Sequence, residues 1–313
     1  MGAEAHERGI GTAVSVVMAT YNYGRYLPQA IESVLAQTYR DWELIVINDG
    51  STDDTDEVMQ PYALMANIRY YTKPNGGQAS AKNFGIRLAR GEYVAFLDAD
   101  DWWHPTKLAK QVRLFENNDR VGVVYSGMRA VNSEGEELQF GKAKYFRGRV
   151  LEHLFGENFV PFSSSMVRRA LLEKEGMFDE SLEMGIDYDL WLRCSLVTEF
   201  DYVPESVVVI RWGHAQISSN AEGREYWARF IEERFRAKHP GRATAGMIRN
   251  RDYQRSYTRL QRSEGVDNRG ALRAALSMVR LHPWSATSYI DVARVLMKEF
   301  LLGSNRKYSV WLK

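Results

Sequence analysis

Asp98, Asp100 and Asp101 follow directly on the apolar run Tyr93-Val-Ala-Phe-Leu97, which begins two residues after Gly91. Such a run reads as a buried strand, so the carboxylates stand at a strand's C-terminal end, where open α/β sheets take their ligands. In an extended segment, residues two apart face the same side. Asp98 and Asp100 are therefore expected to repel each other unless a cation or ligand joins them. A hard divalent ion, Mg²⁺ or Mn²⁺, held by one or two carboxylates and completed by phosphate oxygens, is the chemistry this spacing suits. For an isolated Asp-x-Asp, the plainer reading is a loop that caps the following helix.

The elements that must position these carboxylates are legible upstream. Val14 to Met18 reads as a short buried strand followed by the polar loop Ala19-Thr20-Tyr21-Asn22-Tyr23-Gly24. Leu27, Ala30, Ile31, Val34 and Leu35 then recur at helical spacing, with Pro28 in the first turn. Trp42 to Ile47 is a second strand, ending in Asn48-Asp49-Gly50-Ser51-Thr52-Asp53-Asp54 and a helix through Val58 and Met59. Ile68 to Thr72 is a third, and Lys73-Pro74-Asn75-Gly76-Gly77 turns it into a helix from Gln78 to Arg90. Three strand-helix units leading into a fourth strand predict a parallel, doubly wound sheet with its polar loops gathered beside Asp98 and Asp100.

After Pro105 a helix carries Leu108, Gln111, Val112 and Phe115 on one face, and strands are predicted at Val121 to Ser126 and Met128 to Val131, closed by the turn Asn132 to Gly135. Residues 138–162 read as loop plus a short helix, Ser163 to Val167 as an edge strand and Ala170 to Glu175 as a short helix. Asp187 to Thr198 is predicted helical with Leu190, Trp191, Cys194 and Val197 inward, followed by strands at Phe200 to Val203 and Val207 to Trp212. From Glu225 onward the pattern is helical. It carries three stripes: Trp227, Phe230, Ile231 and Phe235; Leu272, Ala275, Leu276 and Val279; Tyr289, Ala293, Leu296 and Phe300. Ala271 to Leu296 resembles a single degenerate tetratricopeptide-type helix pair, too little for a solenoid and hence a helical appendage.

Composition narrows the class. A chain of 313 residues with 45% hydrophobic and 26% charged residues is an ordinary globular protein. With Cys194 alone, no intramolecular disulfide or cysteine-based metal site forms, which fits a reducing compartment. No apolar signal core or spanning run is evident, so a cytoplasmic protein is expected, unless held to a membrane from outside. The net charge of +1 conceals an asymmetry: residues 1–223 carry 22 Lys and Arg against 32 Asp and Glu, residues 224–313 carry 19 against 8. The expected organisation is a flexible N-terminus over 1–12, a catalytic domain over 13–223 and a helical C-terminal region over 224–313.

The segments Thr20-Tyr21-Asn22, Asn48 to Thr55, Asn75-Gly76-Gly77 with Lys82-Asn83, and Asp98-Ala99-Asp100-Asp101 occur in an order that resembles the family 2 inverting glycosyltransferases. The resemblance covers about residues 13 to 215. It implies a GT-A-type α/β fold, a Rossmann-like sandwich around a mainly parallel sheet, with a divalent metal ion and a nucleotide-diphospho-sugar donor. By this analogy Thr20 and Asp49 lie at the nucleobase, where a carboxylate accepting from uracil N3–H selects a UDP-sugar, and Tyr21 lies against the base. Asn22, Gly76, Gly77, Lys82, Asp98 and Ala99 belong to the same nucleotide site, Asp98 near the ribose, and Asp100 is on the metal. Taken alone, Asp49 reads equally as a turn former and Lys82 as a solvated helix cation. Gly185 to Arg193 resembles the family segment in which an acidic pair opens a helix and the second acid is the base. Here Ile186 replaces the first acid and Asp187 keeps the second. Arg211-Trp212-Gly213-His214 resembles the closing stretch of the catalytic region, which brings His214 to the metal or diphosphate.

The function so implied is transfer of a sugar to a glycan or lipid-linked glycan acceptor in surface polysaccharide assembly. Two other classes compete. A haloacid-dehalogenase-like phosphohydrolase also places Asp-x-Asp after a strand, normally the first strand. A non-catalytic nucleotide-sugar or glycan-binding module would bind donor without turnover, and the retained Asp187 argues against it. No nucleic acid is expected, because the basic region lacks a reader motif and the acidic half would repel a duplex. The basic, aromatic-rich region after Glu225, ending in Phe300-Leu301-Leu302 and Tyr308 to Trp311, suits peripheral contact with an anionic membrane. Packing on the acidic half and assembly into a homo-oligomer are its alternative roles.

Overall fold

The computed structural model describes residues 12–139, 143–213, 220–263 and 267–308, with side-chain environments for all of these but 268 and 298–308. Three strand-helix units open the chain: β1 (Val14–Thr20) with α1 (Leu27–Leu35), β2 (Trp42–Asn48) with α2 (Thr55–Met59), and β3 (Ile68–Thr72) with α3 (Gln78–Leu88). β4 (Tyr93–Phe96), β5 (Trp102–Trp103), α4 (Lys107–Asn117), β6 (Val121–Val131) and β7 (Glu137–Leu138) follow. Then come α5 (Leu151–Gly156), β8 (Met166–Arg168), α6 (Arg169–Glu175), α7 (Ile186–Ser195) and β9 (Glu199–Arg211). The described chain closes with α8 (Ala221–Lys238), α9 (Ala245–Ser263), α10 (Asn268–Leu281) and α11 (Ala286–Tyr308).

The strands form a nine-stranded sheet in the order β3-β2-β1-β4-β8-β6-β9-β5, with β7 paired to β6. β3, β2, β1 and β4 run parallel, so all four loops after them gather at one edge. Beyond β4 the sheet is mixed: β8 is antiparallel to both β4 and β6, while β9 is parallel to β6. The apolar spacing read in α1 is a packing face, with Leu27, Ala30, Ile31 and Val34 fully buried. Burial of each larger member contributes roughly 1.5–3 kcal/mol, so truncating Ile31 would cost about 2–5 kcal/mol.

Several expectations need correction. Ser163 to Val167 is not an edge strand: Phe162–Ser164 is a 3₁₀ turn and β8 lies inside the sheet, between β4 and β6. The paired strand predictions at 121–131 and 200–212 are each one long strand, and the interruption between their halves is a bulge. Ser126 pairs with Val203, Gly127 with Ser206 and Met128 with Val208, so Pro204, Glu205 and then Val207 are the extra residues. Proline gives no ladder hydrogen bond and is tolerated at such a bulge. Trp102 and Trp103, unassigned by pattern, pair with Val209 and Val208. In α7, Leu190, Trp191 and Cys194 are buried as expected but Val197 is exposed, because the helix has ended at Ser195. The helical region begins at Ala221 rather than Glu225, and within α8 Phe230 faces outward while Ile231 and Phe235 are buried.

Two compact units emerge, one of described residues up to Leu154 with Asn158–Lys238, the other of Phe155–Glu157 with the described residues from His239 onward. The second has its own small core of Leu260, Ala271, Ala274, Ala275, Met278 and Val295. The stripes predicted there are rotated: α10 buries Ala271, Ala274, Ala275 and Met278 and exposes Leu276, while α11 buries Val295 and exposes Tyr289 and Leu296. Phe300 and the other side chains from 298 onward lie outside those described, as do residues 1–11 and Trp311.

Candidate active site

The loops at the sheet edge are built from their own polar side chains. Asn22 adopts a left-handed φ of 57°; its N–H donates to Ser51 Oγ at 2.9 Å and its Oδ1 accepts from Thr52 N–H at 2.7 Å. Ser51 N–H donates to Asn48 Oδ1 at 2.8 Å, and Gly24 N–H to Asp53 Oδ2 at 3.0 Å. The buried Asp49 carboxylate accepts from Gly76 N–H (3.0 Å), Gly77 N–H (2.8 Å) and Lys73 Nζ (2.6 Å). Asp49 therefore holds the β3–α3 loop, not the turn before Gly50 that its sequence neighbours suggest, and it does so through Gly76 and Gly77. Gly77 has φ 86°, a conformation open to glycine at no steric cost. Thr20 ends β1 buried, and its hydroxyl finds no hydrogen-bond partner among the described residues. An orphan buried hydroxyl is costly unless a ligand satisfies it. Tyr21 beside it is exposed.

The acidic segment is a turn rather than an extended strand end: Asp101 N–H returns to the Asp98 carbonyl at 3.1 Å. Ala99 points into the apolar core and acts as the spacer between the two carboxylates. Ser163 clamps this turn from β8's side, its Oγ accepting from Asp98 N–H (3.0 Å) and donating to Asp101 Oδ2 (2.5 Å). Asp101 Oδ1 also accepts from Arg211 N–H at 3.1 Å, so the last residue of β9 is tied to the acidic turn. The Asp101 carboxyl is held well above the usual range, chiefly by burial and then by the charges of Asp100 and Asp98. The Tyr23 hydroxyl is pushed upward by burial and then by the same two carboxylates. Asp98 pairs with Lys82 Nζ at 3.0 Å. Lys82 is buried, so it is not a solvated helix cation, and its ammonium sits 3.9 Å above the Phe162 ring.

This concentration of hard oxygen donors suits a divalent cation. Among the described residues no three His, Cys, Asp or Glu side chains converge as a complete metal cage. The protein's share would be one or two carboxylates, the regime in which Mg²⁺ or Mn²⁺ relies on substrate phosphates and water. His214 lies outside the described residues, which stop at Gly213 on this segment.

Asp187 stands in the first turn of α7, after Gly185 in a left-handed conformation (φ 72°) where an added Cβ would meet Ile231 Cδ1 at 2.9 Å. Its carboxyl is raised above the ordinary value by burial, against a 2.9 Å hydrogen bond from Asn158 Nδ2 and the Lys82 charge, which both lower it. Lys82 thus lies between the two constellations. The next residue, Asn83, fixes their spacing: its side chain donates to Phe178 O (2.9 Å) and Glu180 Oε1 (2.8 Å) and accepts from Phe178 N–H (2.9 Å). Gln78 Nε2 donates to Glu183 O at 3.1 Å, so α3 holds the segment that leads into α7. Asp189 has another duty: it pairs with Arg193 (2.9 Å) and Arg234 (2.8 Å), tying α7 to α8. Ile186, where the resemblance expects an acid, is buried. Asn158 and Ser163 carry no pattern of their own in the sequence; the folded chain reveals them, Ser163 at the acidic turn and Asn158 at Asp187.

With this geometry the comparisons agree. Residues 15–176 match the family model described as Glycosyl transferase family 2. An uncharacterised glycosyltransferase of Rickettsia typhi is 33% identical over 230 residues, spanning 70% of this chain and 72% of the relative. The chain belongs to glycosyl transferase family 2. The fold is that of S. aureus TarS 1–349 in complex with UDP-GlcNAc (TM-score 0.60, 17% identity, 93% of this chain and 92% of that one). It is also that of a mannosyltransferase from Pyrobaculum calidifontis in complex with GDP-Man and Mn²⁺ (TM-score 0.64, 17% identity, 95% and 82%).

Proposed function

We propose that this glycosyltransferase moves a hexosyl or N-acetylhexosaminyl unit, with inversion, from a UDP-sugar to a hydroxyl of a glycan or lipid-linked glycan acceptor in surface polysaccharide assembly. The observation that carries the reading is the placement of Lys82, which pairs with Asp98 of the acidic turn and also bears electrostatically on Asp187. A donor seated at the turn and a base in α7 would then share one short, rigid span of protein. Family membership and the structures with UDP-GlcNAc, or with GDP-Man and Mn²⁺, support the donor class and the metal.

Thr20 and Asp49 face the nucleobase in this reading, with Tyr21, Asn22, Gly76 and Gly77 lining its loop and Lys82, Asp98 and Ala99 the ribose and phosphate side. Asp100, with His214 as a second candidate, would hold Mn²⁺ or Mg²⁺, which when bound offsets charge on the departing diphosphate. The acceptor hydroxyl gives its proton to Asp187 as its oxygen bonds to the anomeric carbon. The anomeric carbon–oxygen bond breaks and its electron pair leaves with the nucleoside diphosphate. Asn158 orients the Asp187 carboxylate. Inversion follows from a single displacement.

In this reading the C-terminal helical region brings the enzyme to its acceptor at the cytoplasmic face of a membrane. Among the described residues no helix is long and apolar enough to cross one. The test is a panel of nucleotide sugars read by nucleotide release and by thermal shift with and without Mn²⁺. A UDP-sugar should give the largest metal-dependent shift and turnover with acceptor. Phosphate release from simple phosphomonoesters, or binding without turnover on any glycan acceptor, would overturn the reading.

A further inference from the structure

Helix α11 has two apolar faces. One packs inward through Val292 and Val295 with the buried Ser288 and Asp291. The other carries Tyr289, Ile290, Leu296 and Met297 and is solvent-exposed, Ile290 at 64% and Met297 at 61%. Tyr289 and Leu296 are seven apart, as are Ile290 and Met297, so the four form one stripe along two turns. An amphipathic helix needs one such face for its fold; the second has no partner in the described structure. Immediately before α11, in the corner after Pro283, Trp284 is 97% exposed.

The exposed stripe of α10, on the other side of that corner, is of different chemistry. Arg269, Arg273, Leu276 and Arg280 recur at helical spacing and all are exposed. Residues 239–313 carry 14 Lys and Arg against 5 Asp and Glu, a balance of +9. Exposed aliphatic residues, a Trp and a Tyr on one helix of the pair and a row of exposed arginines on the other have the chemistry of the water–lipid boundary of an anionic bilayer: the apolar groups enter the acyl boundary, the aromatic rings sit at headgroup level, and the guanidinium groups meet phosphate. A second copy of the chain suits the surface less well, since each copy carries the same +9 balance over residues 239–313 and the two regions would repel.

We infer that the α10–α11 pair is an interfacial membrane-docking surface for anionic lipid, entered by Trp284, Tyr289, Ile290, Leu296 and Met297 and steered by Arg269, Arg273 and Arg280. The surface binds lipid whether or not transfer occurs; only its consequence, delivery to a membrane-borne acceptor, rests on the function proposed above.

The full chain is tested by flotation with phosphatidylcholine vesicles, with or without phosphatidylglycerol, at low and high salt. It should co-float with the anionic vesicles and detach as salt is raised. One charge near such a surface changes partitioning by about five-fold, so R269E/R273E/R280E should lower it by more than about 100-fold. I290D/M297D should abolish it even at low salt. All five positions are on the surface, so both variants should keep the parental melting temperature and the parental nucleotide release with a soluble acceptor. That activity readout separates loss of docking from failure of the transferase reading. Equal binding to neutral vesicles, no binding to either kind, or a dimer in analytical ultracentrifugation that I290D/M297D dissolves would each overturn the proposal.

Discussion

The two halves of the candidate site are held by different means. On the donor side, Asn22, Asn48, Ser51, Asp53 and Asp49 spend their side chains on the backbone N–H groups of neighbouring loops. On the base side, Asp187 accepts one side-chain hydrogen bond, from Asn158, and its position is set indirectly by the Asn83 and Gln78 clamps. A motif dense in polar residues is thus mainly a scaffold, whereas the sparse side holds the carboxyl proposed as the base. Unpaired buried amides are costly, which is why loops shaped to surround a nucleotide need so many side-chain acceptors.

The largest break in this arrangement is expected from Asp100→Ala, which should abolish transfer and remove the Mn²⁺-dependent part of donor binding, read by calorimetry with and without the ion. Full activity in excess chelator would contradict it. Asp187→Asn comes next, lowering kcat by roughly 10²- to 10⁴-fold with an unchanged donor Kd, because the base sits apart from the donor loops. The same substitution should raise Tm at neutral pH. A carboxyl whose folded pKa is raised adds stability below the ordinary carboxylate range and loses it as pH rises through the raised value, so its charge opposes folding at pH 7. The Tm gain should therefore vanish in acid. Turnover at the parental rate would remove Asp187 from the mechanism.

Asn83→Ala probes the link between the halves. It strips the partners from the Phe178 N–H and C=O and should cost about 1–3 kcal/mol of stability, measured by denaturant unfolding. It should lower kcat more than donor affinity, since α7 loses its fixed distance from Lys82. An equal loss in both would mean that the two sides are not separately supported.

The sequence was most readable where local chemistry decides structure. The strand-helix units and their polar loops follow from alternating runs and turn residues, and Asp98 to Asp101 stands at the strand end because the apolar run stops there. It was least readable where distant strands return. β8 enters between β4 and β6, bringing Ser163 to the acidic turn, and no local pattern encodes that placement. Helix stripes show the same limit from another side. Leu190, Trp191 and Cys194 of α7 go inward, whereas Tyr289 and Leu296 of α11 go outward, although both sets have helical spacing. Periodicity identifies a face; only the remaining elements decide whether anything covers it.

The smallest effect expected is also the most discriminating. Asn158 donates to Asp187 Oδ2 at 2.9 Å, and that bond pulls the carboxyl down against burial, which raises it. Asn158→Ala should leave burial and the Lys82 charge in place and remove one lowering influence, so the Asp187 carboxyl moves further up. The proposed base acts as the deprotonated carboxylate. Activity is lost as pH falls through this value, and the acid limb of the kcat profile should shift to higher pH while the plateau stays within about three-fold of the parent, since the base itself remains. Asn158→Gln, which keeps an amide donor, should recover part of the shift. A residue that merely fills space there would lower Tm and leave the limb in place, so the profile and the melting temperature together tell an orienting contact from a packing one.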